Sequence, residues 1–275
     1  MTKSKLATFL SMLLLLLAAL NGCGCTSAID NYPFETQEDG HEVQGQELPA
    51  EILSYVHLTR RYYIVGNGTF EMVNESVAGG VCVQVVEGDC LVLTVDHWCR
   101  FDVRIQLITA FSESYVADHV SARTWSSSEE QDVTIVAQDP ARDLCLVRTP
   151  ANGLEPVDLV SQELRVDPLT PVYNVGAPIG YFSPADDGAW TLHRKDGYWS
   201  GWCDNRCRFP FPSTVRASNL IMHTIPTNVG QSGSGIFLNG QLFSIQVGTN
   251  ATIDDFGIGA SLTSIYEFLE SQKVL

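Results

Sequence analysis

From about residue 51 onward, short apolar runs alternate with Gly, Asn and Asp, a rhythm that predicts strands rather than helices. Arg61–Val65, Val81–Val86, Leu91–Val95, Val103–Thr109, Val133–Ala137 and Leu144–Arg148 form a first set of predicted strands. Val172–Val175, Leu220–Ile225, Ile236–Leu238 and Leu242–Val247 form a second. Neither set carries a long helical period. The exception is Ser261–Gln272, where Leu262, Ile265, Tyr266 and Leu269 recur at helical spacing behind a serine suited to cap the first turn. Many short strands in two groups, closed by one terminal helix, predict an all-β body of two barrels over 51–150 and 151–275. The polar stretch Pro150–Pro171, poor in strand signals, is the expected crossover between them.

The pattern ahead of residue 51 is different. Lys3 and Lys5 precede an apolar stretch from Leu6 to Leu20, the layout of an export signal over residues 1–22. Leu20-Asn21-Gly22-Cys23 resembles the bacterial lipobox, which implies cleavage before Cys23 and a lipid on its sulfur. An ordinary signal peptide cut near Gly22 or Ala28 and an uncleaved anchor are the other two readings. Residues 23–50 are polar and acidic without apolar periodicity, and read as a flexible tether.

Charge and cysteine content narrow the function classes. A formal net charge of −16 leaves no basic stripe for phosphates and argues against a nucleic-acid partner. Export makes the eight cysteines readable as disulfide candidates. If Cys23 is lipidated an odd number remains, so at least one thiol is unpaired. Cys203 and Cys207 bound a short loop that can close on itself. No second cysteine pair stands at ligand spacing, so no metal site is expected. Cys82 and Cys99 flank a predicted hairpin and form the second candidate pair. Cys90 and Cys145, inside apolar strand patterns, read as buried thiols, and Cys25 has no assigned partner.

Three local patterns carry chemistry. Leu91–Val95 is an apolar run that leads into Asp96-His97, so a strand end would hold this histidine firmly, and imidazole is the natural base for a hydroxyl nucleophile. Read alone, His97 is also an ordinary strand-end residue. Asp143 stands immediately before the apolar Leu144–Val147 and needs a partner for a partly buried charge. That partner is either the His97 ring, whose tautomer it would fix, or Arg142. Asp139 is the other carboxylate in reach, but precedes a proline. Gly230-Gln231-Ser232-Gly233-Ser234-Gly235 sets serines among glycines, which suits an exposed hydroxyl beside backbone N–H donors. A plain Gly/Ser turn between strands has the same composition.

Taken together, these blocks resemble the trypsin-like (chymotrypsin-fold) serine peptidases. Leu93–His97 is similar to the family's L-T-A-A-H block, Ala141–Leu146 to its D-[IL]-A-L block and Gly230–Gly235 to G-[DN]-S-G-[GS]-[PG], in the family's order. The resemblance covers roughly residues 51–270. It implies an all-β chymotrypsin-like fold: two antiparallel six-stranded β-barrels with a C-terminal α-helix. Ser232–Phe237 looks closest to the bacterial glutamyl-endopeptidase and exfoliative-toxin branch and related viral members. Val175–Gly180 resembles a G-x-P-x-G stretch of such members. Carried over residue by residue, Ser232 is the nucleophile, His97 the general base and then acid, and Asp143 the group that orients it. The N–H groups of Gly230 and Ser232 form the oxyanion hole. Ser234 falls at the family's Gly/Ser position and is set aside as nucleophile.

Several departures change the expected behaviour. Gln231 stands where digestive members carry the Asp that a newly cut N-terminal ammonium pairs with, so no such precursor switch is expected. Trp98 separates His97 from Cys99, where the family often has the two types adjacent, and Asp96 beside the histidine is unusual. The primary specificity pocket is expected from Pro226, Thr227, Gln246 and Gly248, with His223 nearby. With Gln246 where glutamyl-specific relatives carry histidine, neither glutamyl nor tryptic cleavage is expected to dominate. His57, His119 and His193 read as non-catalytic. Trp190–Pro212, rich in aromatics and arginine, reads as an insert that is either a contact surface or a loop folded on itself. The resulting expectation is an exported, membrane-tethered, monomeric serine endopeptidase acting on peptides or proteins without a cofactor. The alternative is a protease-like binding or adhesion module without turnover.

Overall fold

The computed structural model describes residues 49–66, 69–100, 115–124, 127–177, 192–203, 215–228, 230–249 and 256–275. After a single helical turn, α1 (Ala50–Leu53), the chain enters β1 (Tyr55–Gly66), β2 (Thr69–Val86) and β3 (Asp89–Thr94). A second turn, α2 (Asp96–Cys99), is followed by β4 (Tyr115–Thr124), β5 (Ser127–Asp132), β6 (Thr134–Asp139) and β7 (Leu144–Pro150). These seven strands form one curled antiparallel sheet in the order β5-β4-β1-β2-β3-β7-β6. The expected six-stranded first barrel is thus a seven-stranded curled sheet. The second half carries β8 (Pro171–Gly176), β9 (His193–Trp202), β10 (Leu220–His223), β11 (Gly235–Leu238), β12 (Gln241–Thr249) and β13 (Gly257–Ala260). They close as a six-stranded barrel, β10-β13-β12-β11-β8-β9. The fold class is the all-β, chymotrypsin-like one, completed by α3 (Leu262–Ser271).

Turn chemistry sets the two tight hairpins. Glu87 and Gly88 take φ of 55° and 90°, and Asn239 and Gly240 take 52° and 81°. Two consecutive positive φ values make the turn whose twist matches that of paired strands. Val86 then faces Asp89, and Leu238 faces Gln241. Helix α3 begins behind Ser261, whose Oγ accepts from the Ser264 N–H at 3.1 Å, and it buries Ile265, Phe268 and Leu269. One apolar cluster runs from Val56 and Leu93 through Leu146 to Ile245 and Phe268, so both halves share a core. A satellite cluster gathers Trp199, Ile221, Ile236 and Phe243. Between β7 and β8 the chain bridges the halves through irregular backbone: Val157 N–H donates to Cys82 O and Val160 N–H to Leu242 O, each at 3.0 Å.

Four strands were not expected. β4 is broken by Asp118 and His119, β5 (SSEEQD) carries no apolar residue, and β13 (GIGA) is too short to show a period. β9 corrects the reading of Trp190–Pro212 as an insert, because residues 193–202 are a barrel strand paired with β8 and β10. Its inward positions include His193, Lys195 and Gly197 as well as Trp199, so the apolar–polar alternation of a strand is missing over its first half. The predicted strand Val103–Thr109 lies outside the described residues.

The disulfides also differ from the expectation. Cys82 bonds Cys90 across the β2–β3 hairpin, and Cys99 bonds Cys145. The Cys82–Cys99 pair is therefore not formed, and Cys90 and Cys145 are not thiols. A bulge between Cys82 and Gln84 shifts the hairpin register, and Cys99, on the turn after β3, faces β7, where Cys145 lies opposite Thr94. Cys203 is disulfide-bonded to a partner outside the described residues, where Cys23 and Cys207 also fall.

Candidate active site

The first part of the site is built by α2 and the turn before β7. Residues 91–95 are buried, so β3 delivers the Asp96–Cys99 turn to a fixed place. The His97 backbone N–H donates to Asp143 Oδ1 at 2.8 Å, and His97 Nδ1 lies 2.7 Å from Oδ2 of the same carboxylate. One side chain thus fixes both the backbone and the ring of the histidine. Asp143 is buried and has a φ of 54°, a left-handed conformation that costs a non-glycine residue roughly 1–2 kcal/mol. The turn that imposes it is tied by Asp139, whose Oδ1 accepts from the N–H groups of Ala141 (3.0 Å) and Arg142 (3.2 Å). Arg142 donates to Asp139 and Glu267, not to Asp143. Asp139 is therefore the turn's tie, and Asp143 is free to face the ring.

Two further groups brace this turn. The buried Arg60 guanidinium, from β1, donates to the carbonyls of Trp98 (3.2 Å) and Cys99 (2.5 Å) at the end of α2 and pairs with Asp118. Asp96 is fully buried and accepts from Arg100. Burial raises its carboxyl above the ordinary range, the Arg100 charge opposes that shift, and the Asp143 charge adds to it.

The second part is the serine loop before β11. Gly230 and Gly233 take φ of 90° and 83°. The Ser232 carbonyl accepts from Gly79 N–H at 2.7 Å, and Gly233 N–H donates to Gln246 O at 2.7 Å. A Cβ on Gly233 would lie 2.1 Å from Gly79 O and 2.2 Å from Thr94 Oγ1, so only glycine fits. Thr94 Oγ1 donates to the same Gly79 carbonyl at 2.7 Å. The serine loop is thus pinned against the strand that leads to His97, three residues ahead of it. The N–H groups of Gln231, Gly233 and Ser234 all have backbone acceptors, whereas those of Gly230 and Ser232 have none among the described residues. Ser232 is partly exposed, with Oγ 3.4 Å from Val247 O. Ser234 is buried, accepts from Asn174 Nδ2 at 2.9 Å and donates to Gln231 O.

Around the expected specificity pocket, Pro226 is exposed, and Thr227 and Gly248 are partly exposed. Gln246 is turned into the barrel: it is 1% exposed, and its Nε2 donates to Gly248 O at 2.8 Å and Ile258 O at 3.3 Å. His223 is fully buried over Gly257, its Nδ1 accepts from Ile225 N–H at 3.2 Å, and burial lowers its pKa to about 3. Gln246 therefore does not line the expected pocket with its own side chain. Among the described residues no cluster of three His, Cys, Asp or Glu side chains is placed to hold a metal ion. Sequence reasoning missed Arg60, Asn174 and Lys195. A buried arginine and asparagine inside strand patterns were the available signal, and their partners lie far off in the chain.

A histidine–aspartate pair carried by the curled sheet and a glycine-flanked serine loop carried by the barrel are the arrangement of the trypsin-fold class. The chain belongs to the trypsin-like peptidase domain family, whose model matches residues 78–243, more than half of the sequence. Among solved structures, it is similar to the inactive form of the Rv3671c protease of M. tuberculosis: TM-score 0.52, 14% identity, over 81% of this chain and 90% of that one. The active form of Rv3671c gives 0.50 and 16%, over 80% and 81%, and Deg5 gives 0.49 and 19%, over 78% and 87%. At these identities the likeness concerns the fold. No curated protein matches the chain.

Proposed function

We propose that this chain is a serine endopeptidase that hydrolyses peptide bonds through an acyl-enzyme. The observation that carries the reading is the double engagement of His97 by Asp143 at 2.8 and 2.7 Å. It holds Nδ1 as the protonated nitrogen and leaves Nε2 as the base. In the proposed sequence Ser232 Oγ attacks the substrate carbonyl as its proton passes to His97 Nε2. The C–O bond forms and the carbonyl electrons move onto oxygen, which accepts hydrogen bonds from the Gly230 and Ser232 N–H groups. Collapse expels the amine, which takes the proton from His97, and water then repeats the sequence on the ester.

The same proposal covers localisation and specificity. Lys3, Lys5, Leu6–Leu20 and Cys23 support export and a lipid anchor, with the monomer as the acting unit. The glutamyl-endopeptidase branch rests on Ser232–Phe237 and on the Val175–Gly180 stretch. With Gln246 folded inward and Pro226 at the rim, a small or neutral side chain is the proposed preference.

Labelling the mature chain with a fluorophosphonate probe tests the chemistry. Labelling is expected in wild type and Ser234→Ala, lost in Ser232→Ala and much weakened in His97→Ala. A folded wild type that neither labels nor cleaves peptides would instead identify a binding module. A peptide-library profile with strict preference for Glu or Arg would overturn the specificity reading.

A further inference from the structure

β9 alternates sharply: Arg194, Asp196 and Tyr198 face outward, while Lys195 and Trp199 turn inward. Lys195 lies opposite Asn174 of β8 and reaches beneath the serine loop. Its Nζ stands 3.4 Å from Gln231 Oε1. With the Asn228 amide oriented so that its nitrogen donates to Thr227 O at 3.0 Å, the Asn228 oxygen accepts from Nζ at 3.2 Å. Lys195 pairs with no carboxylate among the described residues, so this ammonium is held by two amide oxygens. Gln231 is 1% exposed and passes the tie onward: its Oε1 also accepts from Asn228 N–H at 2.7 Å, and its Nε2 donates to Asn174 Oδ1 at 3.3 Å. Asn174 Nδ2 then donates to Ser234 Oγ (2.9 Å) and Gly235 O (2.8 Å). Every anchor of this network lies on the loop that presents Gly230 and Ser232 or directly beneath it.

We infer that Lys195 is a positioning residue of the serine loop, an ammonium carried by β9 that clamps Asn228 and Gln231 so that the Gly230 and Ser232 N–H groups stay aimed at one point. The inference rests on the peptidase reading above. Its consequence is regulatory: the cation that organises the loop is part of the folded barrel, so no cleaved N-terminus and no partner has to supply it. Partial burial lowers the Lys195 pKa, so the clamp is lost at a lower pH than an exposed lysine would lose its charge. The groups facing it are neutral amides (Asn174, Asn228 and Gln231); on its own strand Arg194 and Asp196 flank it and turn outward, and His193, two residues before it, feels its charge.

The test compares wild type with Lys195→Met and Lys195→Arg on a peptide substrate. Lys195→Met is expected to lower kcat about ten- to a hundredfold, the scale of a misplaced reacting group, with KM within about threefold. Its fluorophosphonate labelling should slow by the same factor while still reaching Ser232. Lys195→Arg should recover most of the loss, and the alkaline limb of the wild-type pH profile should be absent from Lys195→Met. Wild-type kcat and labelling rate in folded Lys195→Met would overturn the inference. If that variant does not fold, Lys195→Gln, similar in reach and uncharged, is held to the same outcomes. A wild type that neither labels nor turns over would instead sink the peptidase reading itself.

Discussion

Gly233 shows how one residue can join the two halves of the site. Its positive φ and the space left beside Gly79 O and Thr94 Oγ1 are both closed to a side chain. A methyl group there must push the serine loop away from the strand leading to His97. Gly233→Ala is therefore expected to cost about 2 kcal/mol or more in stability and to abolish turnover. Urea denaturation and peptide hydrolysis check the two effects, and a variant as stable as wild type would contradict the packing argument. Asp143 makes the complementary point. Its strained backbone aims a buried carboxylate at the histidine, and the Asp139 tie and the following strand hold it there.

At the scale of elements, the Cys99–Cys145 bond connects the turn carrying His97 to the strand that follows Asp143, and closes a loop of 46 residues. Chain entropy predicts a loss of about 4 kcal/mol when such a link is removed. Cys99→Ser/Cys145→Ser should lose stability on that scale by urea denaturation, and kcat should fall because two elements of one site become independent. The Cys82→Ser/Cys90→Ser variant opens a loop of only 8 residues within a hairpin already held by its turn. It should leave kcat nearly unchanged. Equal loss of kcat in the two double variants would argue against a site-specific role. The barrel strands work in the same sense: β8 and β9 carry Asn174 and Lys195 under the serine loop, and β12 supplies the Gln246 carbonyl to Gly233.

Across the whole molecule, burial of histidine sets the response to acid. His57 is held neutral down to about 4, chiefly by burial and then by the charges of Arg123 and Arg61, and His223 down to about 3. An unfolded histidine takes up its proton near 6.5. Below that value the unfolded chain binds protons that the folded chain refuses. The stability contributed by these neutral rings is full above about 6.5 and is lost as pH falls toward 4 for His57 and toward 3 for His223. The urea midpoint should fall between pH 7 and pH 5, and fall less in His223→Met than in wild type. An equal fall in both would remove His223 from the account.

Strand identity, the terminal helix and its serine cap could be read locally, because apolar period and capping chemistry act over a few residues. His97, Asp143 and Ser232 stood out for the same reason: each sits at the edge of an apolar run or among glycines. β5 and β9 could not be read, since one has no apolar face and the other places His193, Lys195 and Gly197 on its inward side. The cysteine pairing was misread because a bulge in β2 and the position of α2 against β7 decide which sulfurs meet. Lys195, Asn174 and Arg60 were invisible as site residues for a related reason. Their partners lie 36, 60 and 38 residues away, and only strand register brings them together. The sequence by itself determined which segments become strands and which side chains are chemically able to react. Tertiary structure alone decided which cation, amide and sulfur stand beside them, because contact across sheets depends on register and closure rather than on neighbouring residues.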